Sequence, residues 1–388
     1  MEKKKLFLVT LGHLSCDVNS GALPAALPYL RAAHNLDYQA TGGIMLAYSC
    51  LASLIQPLFG FWSDRHNKPW FIPVGILFAG LGVSLLGFLN NYWLMCAAVA
   101  ISGIGSAFFH PEGARFANKV SGESKGAGLS FFSIGGNAGF IIGPIIVSVF
   151  LGAFGLHGMA IFFLIAASLA AVMLVQIAGM PKMTPSPKTG QGKIADETEG
   201  KNNWKEFNKL LLVIIARAMV FVGSNTFIPL YWVNVFGQSS STGAIALVIF
   251  GGFGIAFNLV GGYLADKFGF VTIIRVAFWI MVPATLCFGL ADNIFIAYAL
   301  LPFMGLVLYL SFSSQVALGQ KLLAKNVGFA SGITLGVAST LGGVAQPCLG
   351  WIADGWGLRN VFYCLCAVAL LGAIFSLLLK RERVSENG

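Results

Sequence analysis

Apolar residues fill this chain in long runs, and the polar residues gather into short intervals between them. Windows of about twenty apolar residues, the length a helix needs to cross a bilayer, predict twelve spans. They lie at roughly 6–30, 40–63, 70–89, 92–117, 126–154, 157–179, 209–234, 242–265, 270–290, 293–320, 327–352 and 360–380. One longer polar segment, 181–207, carries PKMTPSPKTGQGK and ADETEGKNN and reads as a flexible cytoplasmic linker. It separates an N-terminal bundle, 1–180, from a C-terminal bundle, 208–388. The expected fold is all-α and integral to the membrane, with twelve transmembrane helices in two six-helix bundles.

Composition narrows the class. With 57% hydrophobic and 10% charged residues, the chain departs from soluble domains, which are about 45–50% apolar and about 25% charged. The net charge of +9 does not point to nucleic acid. Of the 24 Lys and Arg, all but Arg31, Arg217 and Arg359 fall on the inner side of the predicted topology, with no basic stripe interleaved with aromatics. That bias predicts a multi-pass inner-membrane protein with both termini cytoplasmic. Lys3, Lys4 and Lys5 lead directly into a full-length span without a small-residue cleavage site, so no cleaved signal is expected. The seven cysteines lie in or at the ends of spans and form no CxxC pair, so neither a disulfide nor a metal or cofactor site is expected. The chain contains no HExxH, GxSxG or GxxxxGK[ST] pattern, which argues against an enzyme and against ATP drive.

The two halves repeat each other at a shift of 202 to 203 residues. Gly60-Phe-Trp-Ser-Asp64-Arg65 answers to Gly262-Tyr-Leu-Ala-Asp266-Lys267, Pro144 to Pro347, and His110-Pro-Glu112 to Ser313-Ser-Gln315. Duplicated six-helix halves suit a transporter that rocks one bundle against the other around a central site. Two GxxxGxxxG faces, Gly135-Gly139-Gly143 and Gly328-Gly332-Gly336, read as close-packing seams.

Gly60-x-x-x-Asp64-Arg65-x-Asn67-Lys68 and Gly262-x-x-x-Asp266-Lys267-x-Gly269 resemble the signature that the major facilitator superfamily carries after its second and eighth spans. The resemblance implies a transporter working by alternating access, with Gly60, Asp64, Arg65, Lys68, Gly262, Asp266 and Lys267 acting in gating turns. Glycine lets two helices approach, and an Asp beside a basic turn can cap helix ends in one state and release them in the other. A charged turn that only sets topology is the other reading. A narrower set, Gly12-His13-x-x-x-Asp17, Leu23-Pro-Ala-Ala-Leu-Pro28 and Phe109-His110-Pro111-Glu112-Gly113, is similar to the fosmidomycin resistance protein branch of that superfamily. Its activity, antibiotic export driven by proton entry, implies proton coupling at Asp17 and Glu112. The chain departs from multidrug exporters in having no basic residue from Leu94 to Gly103, and Gly139-x-x-x-Gly143-Pro144 lacks the paired glycines that follow there.

An ionisable group in hydrocarbon costs about 3 kcal/mol on the mildest scales, so such residues mark substrate or proton paths. Asp17 and Glu112 are the carboxylates deep within spans, and with His110 they form the candidate proton-coupling set. His13 and Asp17, at i and i+4, share a helix face, and Glu112 and Arg115 at i and i+3 can pair. Pro111 removes one backbone hydrogen bond and leaves a carbonyl near Ala107 to line a cavity. Arg217 in the seventh span suits bidentate capture of a carboxylate, phosphate or phosphonate, or else balances Asp17 or Glu112. His13, Arg115, Asn137, Asn225, Gln315 and Gln346 complete the candidate substrate contacts, the amides serving equally as interhelical links. The expectation is a monomeric, proton-coupled secondary transporter. Export of a small drug-like or anionic compound by antiport is favoured, and symport of an organic anion inward is the alternative.

Overall fold

The computed structural model describes residues 2–66, 70–122, 124–178, 202–326, 330, 333–334 and 338–381. Helix accounts for nearly all of them, and no strand occurs among the described residues. In chain order the α-helices are α1 (Lys3–His34), α2 (Tyr38–His66), α3 (Phe71–Leu85), α4 (Tyr92–Val120), α5 (Lys125–Phe154), α6 (Ala160–Ala178), α7 (Trp204–Asn234), α8 (Ser240–Phe268), α9 (Phe270–Leu290), α10 (Ile294–Leu310), α11 (Phe312–Leu322), α12 (Ala338–Trp356) and α13 (Leu358–Leu377). The predicted spans meet these helices in order. The tenth is divided at Ser311 into α10 and α11, and the eleventh is described from Ala338 onward. The second glycine seam, Gly328-Gly332-Gly336, and most of the linker lie outside the described residues.

Seven helical stretches among the described residues are long and apolar enough to cross a membrane, and α3 is apolar but only 15 residues long. The more polar α1 has a physical reason for its composition. It is buried along most of its length from Leu6 to Leu30 and packs against α3, α4, α5 and α6. Its polar groups therefore meet protein and not lipid, the one place where they are tolerated at membrane depth.

The first glycine seam forms the α1–α5 contact. A Cβ on Gly135 would stand 2.2 Å from the Thr10 carbonyl oxygen, one on Gly139 2.7 Å from the Asp17 backbone, and one on Gly143 2.3 Å from the Val18 carbonyl oxygen. The small-xxx-small pattern thus brings two backbones together at the level of Asp17.

The duplication is visible in the element bounds. Helices α2 and α8 are each 29 residues long and start 202 positions apart, at Tyr38 and Ser240. Asn91 caps α4 by accepting from Trp93 N–H and Leu94 N–H at 2.9 and 3.1 Å. Asn293, 202 positions on, caps α10 by accepting from Phe295 N–H at 2.8 Å. Both are N-cap asparagines satisfying otherwise orphaned donors.

The chain forms two compact units, Met1–Ser186 with Ile228–Val248, and Pro187–Phe227 with Ile249–Gly388. Within the first, Ser241 is bonded to Tyr29 Oη at 2.6 Å and to the Ser148 carbonyl at 3.1 Å. Asn234 accepts from Arg31 at 3.2 Å. In the second, Arg275 of α9 donates to the carbonyls of Ser376, Leu377 and Leu379 at 3.0, 3.1 and 2.6 Å, satisfying the end of α13.

Candidate functional site

Asp17 is 5% exposed at the middle of α1. Its Oδ2 lies 3.2 Å from Nε2 of His13, one turn back, and its Oδ1 lies 3.2 Å from Nε2 of His110 on α4. Each imidazole is fixed from its other nitrogen. His13 Nδ1 is 2.8 Å from the Phe132 carbonyl of α5, and His110 Nδ1 is 2.8 Å from the Ser106 carbonyl. The His13 ring stacks on Phe132 with centroids 4.1 Å apart and meets His110 edge-on at 5.2 Å. Three helices thereby converge on one carboxylate.

Gly136 of α5 makes room for this cluster, since a Cβ there would lie 2.5 Å from His13 Nε2 and 2.7 Å from Asp17 Oδ2. The sequence reading missed Gly136 as a site residue. The available signal was its place beside the glycine seam, on the helix that α1 must approach. Around the carboxylate, Ser20 Oγ is 3.4 Å from Asp17 Oδ1 and 2.6 Å from Tyr48 Oη. Asn19, two residues along α1, donates to the Ser15 carbonyl at 2.7 Å.

The two imidazole nitrogens and a carboxylate oxygen lie within 4.8 Å of one another, close enough to share protons and also to surround one small cation. A hydrogen-bond inventory favours protons. A carbonyl can only accept, so a bond to Phe132 or Ser106 requires hydrogen on Nδ1. A bond to the carboxylate then requires a second hydrogen on Nε2. The cluster as arranged is a carboxylate with proton-carrying imidazoles, each charge-assisted bond contributing about 1.5–3 kcal/mol.

The remaining candidates in the first unit are placed differently. Glu112, 3% exposed, receives both contacts of a forked Arg115 interaction at 2.9 and 2.8 Å. The expected pair exists, and Glu112 takes Arg115 where Asp17 takes the histidines. His13, expected among the substrate contacts, belongs to the Asp17 cluster. Helix α4 continues through Pro111, and the carbonyl that His110 meets is that of Ser106. Asn137 is half-buried on α5.

In the second unit Arg217 is 8% exposed on α7. Its Nε donates to Gln315 Oε1 of α11 at 3.0 Å, and its guanidinium carbon lies 4.7 Å from the Phe312 ring centroid and 5.8 Å from that of Phe221. Among the described residues of this unit no carboxylate pairs with it. Asn225, on the same face of α7 as Arg217, bonds back to the Phe221 carbonyl at 2.9 Å. Gln346 of α12 bonds to the Gly342 carbonyl at 2.7 Å and keeps a buried Oε1 without a partner. Asn258 accepts from Ser313 at 2.6 Å, joining α8 to α11.

Of the gating residues, Asp266 and Lys267 are exposed near the end of α8, where Gly269 at φ 86° turns the chain into α9. The close helix approach in this region is made by Gly261, whose Cβ would lie 2.2 Å from the Leu310 carbonyl oxygen, while a Cβ on Gly262 would meet nothing within 4 Å. Gly60, Asp64 and Arg65 are on α2, but their side chains and all of Lys68 lie outside the described residues.

The family model described as Major Facilitator Superfamily matches residues 9–347. The chain is 29% identical over 377 residues to the fosmidomycin resistance protein of Escherichia coli (strain K12), covering 94% of this chain and 90% of that protein. It is also 29% identical over 393 residues to the uncharacterized MFS-type transporter YfnC of Bacillus subtilis (strain 168), covering 98% and 94%. A bacterial homolog of the human lysosomal transporter Spinster, solved in an inward-facing and occupied conformation, superposes with a TM-score of 0.79 at 16% identity, covering 96% of each chain. A family match over most of a duplicated twelve-span fold, with ionisable groups held inside its helices, leads to one conclusion: the chain belongs to the Major Facilitator Superfamily, as a multi-pass membrane transporter of small molecules and not an enzyme.

Proposed function

We propose that this protein is a proton-coupled secondary transporter that exports a small anionic or drug-like compound, such as a phosphonate antibiotic, by alternating access. The observation that carries this reading is the Asp17 carboxylate, buried at mid-helix and bracketed by two imidazoles at 3.2 Å. A proton-bearing cluster of one carboxylate and two imidazoles at membrane depth is chemistry that structural packing does not need, and intramembrane ionisable groups mark proton relays. Its likeness to the fosmidomycin resistance protein supports export over import.

The substrate side is read from Arg217. Its Nε is spent on Gln315, leaving the two terminal nitrogens as a planar fork for a carboxylate or phosphonate. Gln346 and Asn225 add polar contacts, and Phe221 and Phe312 give apolar walls. Glu112 is the second carboxylate of the proton path, admitting a proton when Arg115 moves away. Asp64, Arg65 and Lys68 after the second span, and Asp266 and Lys267 after the eighth, act as the gate. The basic bias places both termini in the cytoplasm and the protein, as a monomer, in the inner membrane.

The test is proton flux in inverted vesicles holding the purified protein under an imposed pH gradient, with phosphonate, carboxylate and cationic drugs added in turn. Coupled export predicts proton movement out of the vesicle lumen on addition of an anionic compound, reduced in Glu112→Gln. Substrate movement without a proton signal sinks the coupling, and proton movement in the same direction as the substrate replaces antiport with symport.

A further inference from the structure

The two histidines that flank Asp17 are not equivalent. Among the described residues His13 Nδ1 meets only the Phe132 carbonyl, at 2.8 Å. If His13 gave up a proton, either Nδ1 would turn a lone pair toward that carbonyl or Nε2 would turn one toward the carboxylate. Both alternatives set acceptor against acceptor in a site where the side chain is only 12% exposed. His110 Nδ1 has a second neighbour, the Ser106 hydroxyl, at 3.1 Å. When charged, His110 donates from Nδ1 to the Ser106 carbonyl and from Nε2 to Asp17. When neutral, its Nδ1 lone pair also faces the Ser106 carbonyl, but unlike His13 it has the Ser106 O–H to accept from, and it still donates to Asp17 from Nε2. Its side chain is also 25% exposed, twice the value for His13.

We infer that His110 is the member of the cluster that takes up and releases the transported proton, at Nδ1, while His13 stays protonated and positions Asp17. The step balances simply: the Nδ1–H bond breaks, its electron pair stays on nitrogen to accept the Ser106 hydroxyl hydrogen, and the proton passes to water. Among the described residues the other ionisable groups beside the cluster are the Cys16 thiol of α1 and the Tyr48 phenol of α2, both of which also meet the Ser106 side chain, and Tyr48 is bonded to Ser20. From α5 the cluster meets the Phe132 carbonyl and ring and the Gly136 backbone, and near Gly12 α3 and α6 offer the apolar Ile76 and Met173. On α4 the nearby Glu112 is already held by Arg115.

This rests on the proton-coupled reading, and its test is chosen to fail separately from it. Diethyl pyrocarbonate attacks only an unprotonated imidazole nitrogen, so modification of each histidine in the full-length protein, read by mass spectrometry from about pH 5 to 9, follows its titration. The expected result is a sigmoidal rise at His110 and little modification at His13. Ser106→Ala removes the donor that serves the neutral form, so its His110 profile moves to higher pH. Modification of His13 as readily as His110, or a profile unmoved in Ser106→Ala, overturns the assignment even if the vesicles show coupled transport. In those vesicles His110→Gln, which keeps an N–H toward Asp17 and cannot titrate, is expected to lose proton movement while still binding substrate in detergent. Proton movement at the wild-type level in that variant also overturns it. Absence of proton movement in the wild type overturns the coupled reading itself, whatever the histidine titrations show.

Discussion

At the positions where α4 carries His110 and Glu112, the matching stretch of the second half, 203 residues on, carries Ser313 and Gln315. The first unit buries carboxylates and supplies each with cationic partners, Asp17 with His13 and His110, Glu112 with Arg115. The second buries a guanidinium, Arg217, and gives it a neutral amide and two aromatic rings. A buried charge whose partner is removed costs about 3–5 kcal/mol, so the first arrangement is complete in itself and the second is stable in proportion to what arrives to pair with it. The repeat supplied one helical scaffold twice, and in the function proposed above the polar substitutions on it divide proton chemistry from anion recognition.

The comparison is broken most severely at Asp17. Asp17→Asn keeps the size of the side chain and removes the counter-charge from both imidazoles, a loss of about 3–5 kcal/mol or more than about 100-fold in coupled transport. Proton flux in vesicles is the measurement, and near-normal flux would detach the cluster from coupling. Gly136→Ala tests the same unit from the neighbouring helix. Its Cβ falls within 2.5–2.7 Å of His13 Nε2 and Asp17 Oδ2, so an overpacking cost of about 1–3 kcal/mol is expected, seen as a lower Tm together with weakened proton coupling. A fall in Tm with coupling intact would make Gly136 a packing residue alone.

On the other side of the comparison, Arg217→Lys retains the charge and loses the planar fork. Affinity for an anionic substrate is expected to fall about tenfold, while the pH dependence set by the Asp17 cluster stays in place. Equilibrium binding of the compounds that evoke proton flux decides this, and unchanged affinity for all of them removes Arg217 from the substrate site. The smallest effect sharpens the duplication itself. Asn91→Ala and Asn293→Ala each delete an equivalent helix cap and are expected to cost about 1 kcal/mol apiece. Thermal unfolding of the two variants should give similar losses, and a large difference would show that the two halves depend differently on the same device.

Much of this was legible in the linear chain. Helices in lipid must satisfy their backbone internally, so length and apolarity announce them, and a common shift relating Gly60 to Gly262 and Pro144 to Pro347 announces the duplication. The asparagine caps were legible too, at the same shift, but a lone Asn before an apolar run is too common a feature to stand out. Within the site, the i and i+4 spacing placed His13 on the face of Asp17 and the i and i+3 spacing paired Glu112 with Arg115. Those pairs are short-range consequences of helical geometry.

The sequence by itself determined what the membrane imposes: twelve apolar spans, two related halves, and a few ionisable residues kept inside them. Only the tertiary structure decided which of those residues meet. His110 is 93 positions from Asp17 and Phe132 is 119 from His13, and they come together because Gly139 and Gly143 let α5 press against α1 while α4 closes the third side. Hydrophobic pattern fixes a helix and the face it turns inward. The depth and rotation at which helices lock depend on close packing between side chains far apart in the chain, and that packing turned three separate polar residues into one proton-holding cluster.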